Sequence, residues 1–161
     1  ELVVEPVDFV DLLGFIRKSL EPVAKNKGIA LTAKTAPDVP LSMADWEKLR
    51  RIVENLVDNA IKYTPAGSHI SLSAVRAGPF VQVEVSDDGP GIADSAKQKI
   101  FDMFYTADNS HGDGRRGLGL GLSLCRSIIT AHGGEISVQD HQPHGSVFRF
   151  TLRASEVKMY E

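Results

Sequence analysis

Apolar residues recur along this chain at two periods, one of three to four residues and one of two. Between Asp8 and Lys27 they fall at Phe9, Leu12, Leu13, Ile16, Leu20 and Val23, the stripe of an amphipathic helix, with Lys25, Lys27 and Gly28 suited to its C-terminus. A second stripe, Trp46, Leu49, Ile52, Val53, Leu56, Val57, Ala60 and Ile61, predicts a helix that starts near Ser42–Asp45 and is ended by Pro65 and Gly67. A third helix is predicted from Leu118 to His132, stopped by Gly133-Gly134. Alternation predicts strands at Ile29–Lys34, His69–Arg76 and Phe80–Asp87, the last two joined as a hairpin by Ala77-Gly78-Pro79, and a closing antiparallel pair at Glu135–Gln139 and Ser146–Leu152. Glu5–Asp8 reads as an extended lead-in, Pro37 and Pro40 as the brackets of a turn, and Asp88–Asp94 as a Gly/Pro turn. Ser95–Phe104 reads as a short helical piece, Tyr105–Arg116 as a mobile loop, and the tail from Arg153 as loose.

Hairpins rather than strict strand–helix alternation argue for an α+β class: a two-layer α/β sandwich, with a mostly antiparallel five-stranded sheet and three helices on one face. The 161 residues suit one domain. Its expected extent is 9–153, with 1–8 a linker from another domain and 154–161 a C-terminal tail. The chain opens on Glu1 rather than Met, as expected of a piece of a longer protein. Lys plus Arg number 18 and Asp plus Glu 21, for a net charge of −3, which argues against a nucleic-acid partner bound through phosphate neutralisation. A single cysteine, Cys125, excludes an internal disulfide and a cysteine metal cluster. No apolar run approaches the ~18 residues of a membrane span.

Four segments carry chemistry. Asn55, Asn59 and Tyr63 are spaced by four on the second predicted helix and Lys62 follows Asn59 by three, so two amides, an ammonium and a phenol share one stripe. That set suits a magnesium ion with phosphates, because magnesium takes oxygen ligands and keeps several waters. The same stripe reads equally well as a solvated polar face. Asp87-Asp88-Gly89-Pro90-Gly91-Ile92 follows a strand; its carboxylate can accept from an exocyclic amine and its glycines admit a flat ligand, although alone it makes an ordinary turn. Ile100-Phe101-Asp102-Met103-Phe104-Tyr105 spaces two aromatics by three, as core or as the anchor of a lid. Gly117-Leu118-Gly119-Leu120-Gly121-Leu122 opens a helix with three alternating glycines, each costing up to about 1 kcal/mol there relative to alanine. It exposes backbone N–H groups to an anion, beside the positive charges of Arg115 and Arg116. It is not a Walker loop, since Leu118 stands where lysine would, nor the Gly-x-Gly-x-x-Gly of dinucleotide folds.

In order and spacing the four segments resemble the N, G1, F and G2 boxes of the ATP-binding catalytic domain of sensor histidine kinases, within a superfamily that includes gyrase B, Hsp90 and MutL. The resemblance spans nearly the whole chain, from Glu5-Pro6-Val7-Asp8, similar to the family's exit from its dimerisation domain, to closing strands that end at Leu152. It implies the Bergerat ATP-binding fold and the ligands ATP and Mg2+. It implies phosphoryl transfer to a histidine on a separate dimerisation/phosphoacceptor domain, with a response regulator receiver domain further downstream. By that resemblance Asn59 would coordinate Mg2+, with Asn55 one turn back, Lys62 would contact phosphate and Tyr63 would lie against the adenine. Asp87 would accept the adenine amino hydrogen, Gly89, Gly91 and Ile92 would shape the base pocket, and Ser146 would supply a small hydroxyl near Asp87. Phe101 and Phe104 would support the lid, and Gly117, Gly119 and Gly121 would cradle the phosphates with Leu118 and Leu122 alongside. The implied setting is a cytoplasmic domain, monomeric as a fragment of a homodimeric parent. Whether that parent is anchored in the inner membrane stays open.

None of His69, His111, His132, His141 and His144 has the family's phosphoacceptor context, a helix with an acidic residue next and a proline a few positions on. The ATP-hydrolysing cousins carry a glutamate four residues before the magnesium asparagine. Here that position is Asn55, and Glu54 is one position off, about 100° round the helix. Little hydrolysis by water is therefore expected. The chain departs from the family at Thr106, in place of arginine, and at Arg115-Arg116, in place of Gly-Thr; Arg116 is the candidate substitute for the missing lid arginine. The competing reading is a nucleotide-dependent protein-binding module, either a degenerate kinase or an anti-sigma-factor-type serine kinase. Intact Asn59, Lys62, Asp87 and box glycines argue against degeneracy.

Overall fold

A computed structural model describes residues 1–97, 99–102 and 116–155, of which 116–120 through the backbone alone. The elements run β1 (Glu5–Val7), α1 (Phe9–Lys27), β2 (Ala30–Thr35), β3 (Ser42–Ala44), α2 (Trp46–Tyr63), β4 (His69–Ala77), β5 (Phe80–Asp87), α3 (Asp94–Lys97), α4 (Arg116–Ala131), β6 (Ile136–Asp140) and β7 (Ser146–Arg153). The fold is the α+β sandwich that the pattern predicts. Its five-stranded sheet has the order β2-β4-β5-β7-β6. β5 pairs antiparallel with β4 and β7, β6 pairs antiparallel with β7, and β2 joins β4 in parallel. A parallel neighbour needs a crossover, and α2 supplies it.

One face of the sheet carries Ile70, Leu72 and Ala74 from β4, Val81, Val83 and Val85 from β5, and Phe150 and Leu152 from β7, all buried. They pack with Leu12, Leu13 and Ile16 of α1, Leu49, Val53 and Leu56 of α2, and Leu122 and Ile129 of α4 in one core. The other face mixes polar positions with Val75, Phe80 and Val147; on it Glu84 of β5 and Arg149 of β7 are register partners and make a 2.6 Å ion pair. No helix among the described residues is long and apolar enough to cross a membrane.

Three details differ from the sequence reading. The lead-in Glu5–Val7 is a strand that pairs with β3, Pro6 opposite Met43, and Val7 is fully buried. Three residues are too few to show a period, and the partner is far away in sequence. In the last turns of α1 Ala24 is buried while Val23 is 46% exposed, so the core stripe is rotated one position from the one predicted. Beyond β7, Ala154 and Ser155 donate backbone bonds to Pro79 and Leu41, so the chain stays attached past Arg153. The expected loop Tyr105–Arg116 falls, up to residue 115, outside the described residues.

Helix ends follow their local chemistry. Asp8 caps α1 by accepting from Val10 N at 2.8 Å, and Gly28, in the left-handed region at φ 82°, closes it with bonds to Ala24 and Lys25 carbonyls. Asp45 caps α2 through Lys48 N at 3.1 Å, and its other oxygen accepts from Val3 N at 2.9 Å. The Asp45 N–H in turn donates to His132 Nε2 at 3.0 Å. This one residue therefore joins the start of the chain, the start of α2 and the end of α4. The Val3 N–H is the first cause that holds the Asp45 carboxyl below its ordinary value of 3.8, against the opposing effect of burial. A lowered folded-state value means a contribution present above the ordinary value and lost as pH falls through the lowered one. Replacing Asp45 by alanine is expected to cost about 1–2 kcal/mol in urea unfolding at pH 7. The difference from the unsubstituted chain shrinks as pH falls below the ordinary carboxylate range.

Candidate functional site

α2 uses one side for the core and the adjoining side for polar groups. Asn59, Lys62 and Tyr63 from its last turns line a cavity of about 790 Å³ together with Asp87, Gly89, Gly91, Ile92, Leu122 and Ser146. The carbonyls that end α2 are themselves held, because the Lys27 ammonium at the end of α1 donates to Ile61 O and Lys62 O. Asn59 is only 8% exposed, and its Nδ2 has no hydrogen-bond partner among the described residues. A buried amide without a protein partner, facing a cavity, is costly unless a ligand or water completes it.

Asp87 is the last residue of β5, the central strand, and is 8% exposed. It stands opposite Ser146 in the β5–β7 register. Gly89 N donates to its Oδ1 at 2.9 Å, and the Ser146 backbone N–H bonds it as well. Burial raises the carboxyl above its ordinary value of 3.8; these two N–H groups pull against that, the Asp88 charge adds to it and His141 opposes it. The result is a buried carboxylate in the cavity wall, which can accept from a donor that enters the cavity.

The turn after Asp87 is seated on the β6–β7 hairpin by close backbone approach. Gly145 has φ 115°, and a Cβ there would run into the Asp87 carbonyl. Behind the cavity, Phe101 is buried edge-to-face on Phe148 with centroids 6.2 Å apart, and the Arg126 guanidinium lies 5.9 Å from the Phe101 centroid. Phe148 lines the cavity, so Phe101 backs its wall. From α4, Leu122 is buried at the cavity and Gly121 lets α4 approach α2, since a Cβ there would sit 2.5 Å from Asn55 Nδ2.

Asn55 does not line the cavity. Its Nδ2 contacts Cys125 Sγ at 3.5 Å, in the α2–α4 contact, and burial raises the Cys125 thiol to about 11. Glu54 is likewise away from the cavity, paired with Arg50 at 2.8 Å. Arg116, Gly117, Leu118 and Gly119 form the first turn of α4. Phe104 and Arg115 lie outside the described residues. The sequence reading missed Phe148, Ile100, Thr64 and His144, all of which line the cavity. Phe148 was readable, because it alternates with Ser146 on β7 and so shares the face of Asp87. His144 sits in a hairpin loop and has no period to betray it.

The chain matches the family described as histidine kinase-, DNA gyrase B- and HSP90-like ATPase over residues 44–156, and it belongs to that family. Similar curated proteins are named adaptive-response sensory kinase SasA. That of a Synechocystis strain is 39% identical over 91% of this chain and 38% of its own length. That of a Nostoc strain is 44% identical over 71% of this chain and 28% of its own length. The chain thus spans well under half of these relatives. Among solved structures, the catalytic domain of histidine kinase ThkA superposes with a TM-score of 0.83 at 28% identity, covering 95% of this chain and 97% of that one. Full-length ShkA in complex with AMPPNP gives 0.84 at 33% identity, covering 98% of this chain and 33% of that one. The domain is therefore of the ATP-binding, histidine kinase type.

The Gly145 contact is open to a direct test. Gly145→Ala combines a left-handed φ with a backbone collision and is expected to cost about 2–3 kcal/mol in urea unfolding. Gly78→Ala has φ 61° and open space around it, so its expected cost is only about 1 kcal/mol.

Proposed function

We propose that this domain binds Mg-ATP in the cavity between α2, β5 and α4 and passes the γ-phosphoryl group to a histidine on the dimerisation domain of its parent kinase. The observation that carries the reading is the meeting of Asn59, Lys62 and Tyr63 from one helix with buried Asp87 from the central strand around one cavity. Asp87 would accept the adenine amino hydrogen, with Gly89, Gly91, Ile92 and Tyr63 around the base. Lys62 and the N-terminal turn of α4, with Gly117, Gly119, Gly121 and Arg116, would face the phosphates, where helix N–H groups and positive charge favour an anion. Leu118, Leu122, Phe101 and Phe104 would support the segment between them.

Magnesium would neutralise charge on the phosphates. The donor set fits it: the orphaned amide of Asn59 offers an oxygen once its nitrogen is turned away, and a phosphate-bound magnesium needs few protein ligands. Among the described residues no cluster of three or more His, Cys, Asp or Glu side chains is placed to hold a metal, so the phosphates and water would supply the other ligands. This chain's own part in the reaction is positioning and charge stabilisation. No carboxylate stands at residue 55 to activate water, which favours transfer over hydrolysis.

Residues 1–8 would lead in from the dimerisation domain, with Val7 already seated in the core, 9–153 would form the catalytic unit, and 154–161 would be a tail tied down at Ala154 and Ser155. A monomeric catalytic unit would serve a homodimeric parent in the cytoplasm. A response regulator would take the phosphoryl group onward; ThkA, 27% identical, has been solved in complex with the response regulator TrrA.

Mixing the domain with ATP, Mg2+ and the parent's dimerisation domain is expected to give acid-labile phosphohistidine, at least tenfold less with Asn59→Ala. A vigorous Asn59-dependent release of phosphate from the domain alone would contradict the reading. Asp87 sets the pH dependence. Its folded-state value is raised, so its own contribution to the stability of the nucleotide-free domain is lost as pH rises through that value, opposite in sign to that of Asp45, while affinity for ADP rises over the same window as the carboxylate forms. Calorimetry across pH is expected to show the affinity trend directly and the stability trend as the difference between the unsubstituted chain and Asp87→Asn, which lacks both.

A further inference from the structure

We infer that His144 is a positioning residue for recognition of the base: its imidazole anchors the turn that presents Asp87 to the nucleotide. The inference rests on the adenine-nucleotide reading of the cavity. His144 lies in the loop between β6 and β7 and lines the cavity, and its Nδ1 is 3.1 Å from the Gly89 carbonyl, 55 residues away in sequence. A carbonyl only accepts, so Nδ1 carries the proton and donates. The loop is braced in turn: His141 Nδ1 donates to the His144 carbonyl at 3.2 Å, and His141 N donates to Gly145 O at 3.0 Å.

The turn depends on such an external hold. Gly89-Pro90-Gly91 has no polar side chain, Pro90 has no N–H, and residues 88–93 adopt no helix or strand. Its two ends are gripped by side chains from outside. His144 holds the Gly89 carbonyl, and the Lys97 ammonium holds the Ile92 carbonyl at 2.9 Å. Lys97 also pairs with Asp140 at 2.9 Å, so both grips tie the turn to the same hairpin. Between them, Gly89 N bonds Asp87 Oδ1 at 2.9 Å. The Gly89 carbonyl belongs to the next peptide, Gly89–Pro90, joined through the Gly89 Cα to the Asp88–Gly89 peptide whose N–H orients the carboxylate, so pinning the carbonyl limits how far that N–H can turn away. A carboxylate held in place rewards the adenine amine and repels the carbonyl oxygen that guanine presents at the same edge. A turn that drifts blurs that difference, because discrimination of this kind depends on a polar group left unpaired by the wrong ligand.

Titration calorimetry of the full chain with Mg-ADP and Mg-GDP tests this in His144→Ala, His144→Leu and His144→Asn. Asparagine places Nδ2 the same number of bonds from Cα as histidine Nδ1, so it restores the donor, whereas leucine restores only bulk. The alanine and leucine variants are expected to weaken ADP binding by roughly three- to tenfold, the range of one hydrogen bond, and to lower the ADP-to-GDP preference, with thermal midpoints close to that of the unsubstituted chain. His144→Asn is expected to recover ADP affinity to within about twofold. Unchanged binding in the alanine variant, recovery by leucine as full as by asparagine, or a folded asparagine variant that fails to recover overturns the inference. Asp87→Asn separates the two levels. If it binds ADP as well as the unsubstituted chain, the adenine reading fails and this inference with it. If it weakens ADP while His144→Ala does not, only the role of His144 fails.

Discussion

A carboxylate buried at the end of the central strand is the constraint around which this domain is arranged. Asp87 is almost out of reach of water, and charge in such a place is unfavourable unless hydrogen bonds meet it. The N–H groups of Gly89 and Ser146 supply those bonds. The first requires a tight turn directly after β5, and the second requires β7 to pair with β5 in the register that sets Ser146 opposite Asp87. That register brings the β6–β7 loop against the turn, where only glycine fits at position 145. The acid thus explains a strand order, a register and a glycine that would otherwise be unrelated features.

α2 meets a second demand. The helix whose leucines and valines fill the core also carries Asn59, Lys62 and Tyr63 to the cavity. A rigid, well-capped helix on a packed core is a precise support for such groups. Asp45 caps its start, Lys27 holds the carbonyls at its end, and Asn55 seats it on α4 where Gly121 leaves room. Asn55 thereby has a structural task at the position where hydrolysing members of the superfamily have a glutamate. The Cys125 thiol, raised by burial, completes the same contact and remains protonated.

What could be read from the sequence divides along physical lines. The long periodic elements were legible because each repeats its signal over several turns or alternations; β4, β5, α2 and α4 lie within a residue or two of their predicted limits. The stripe of Asn59, Lys62 and Tyr63 was legible for the same reason, since helical spacing alone puts them on one side. β1 and β3 were not, because three residues carry no period and their stability comes from each other across the chain. The contact of Asn55 with Cys125 was not legible either: it depends on how closely α4 approaches. His144 was hidden by a loop, where position follows from contacts rather than from spacing.

The central claim is that Asp87 is the group that recognises the ligand. Its carboxyl titration can be followed by carbon NMR in the chain labelled at aspartate, with and without saturating Mg-ADP. If the adenine amine donates to the carboxylate, the ligand binds the ionised form, and by linkage its presence must lower the value at which Asp87 titrates. The account predicts a titration raised above the ordinary carboxylate range in the free domain and drawn down on ADP binding. A titration that ADP leaves in place would contradict it.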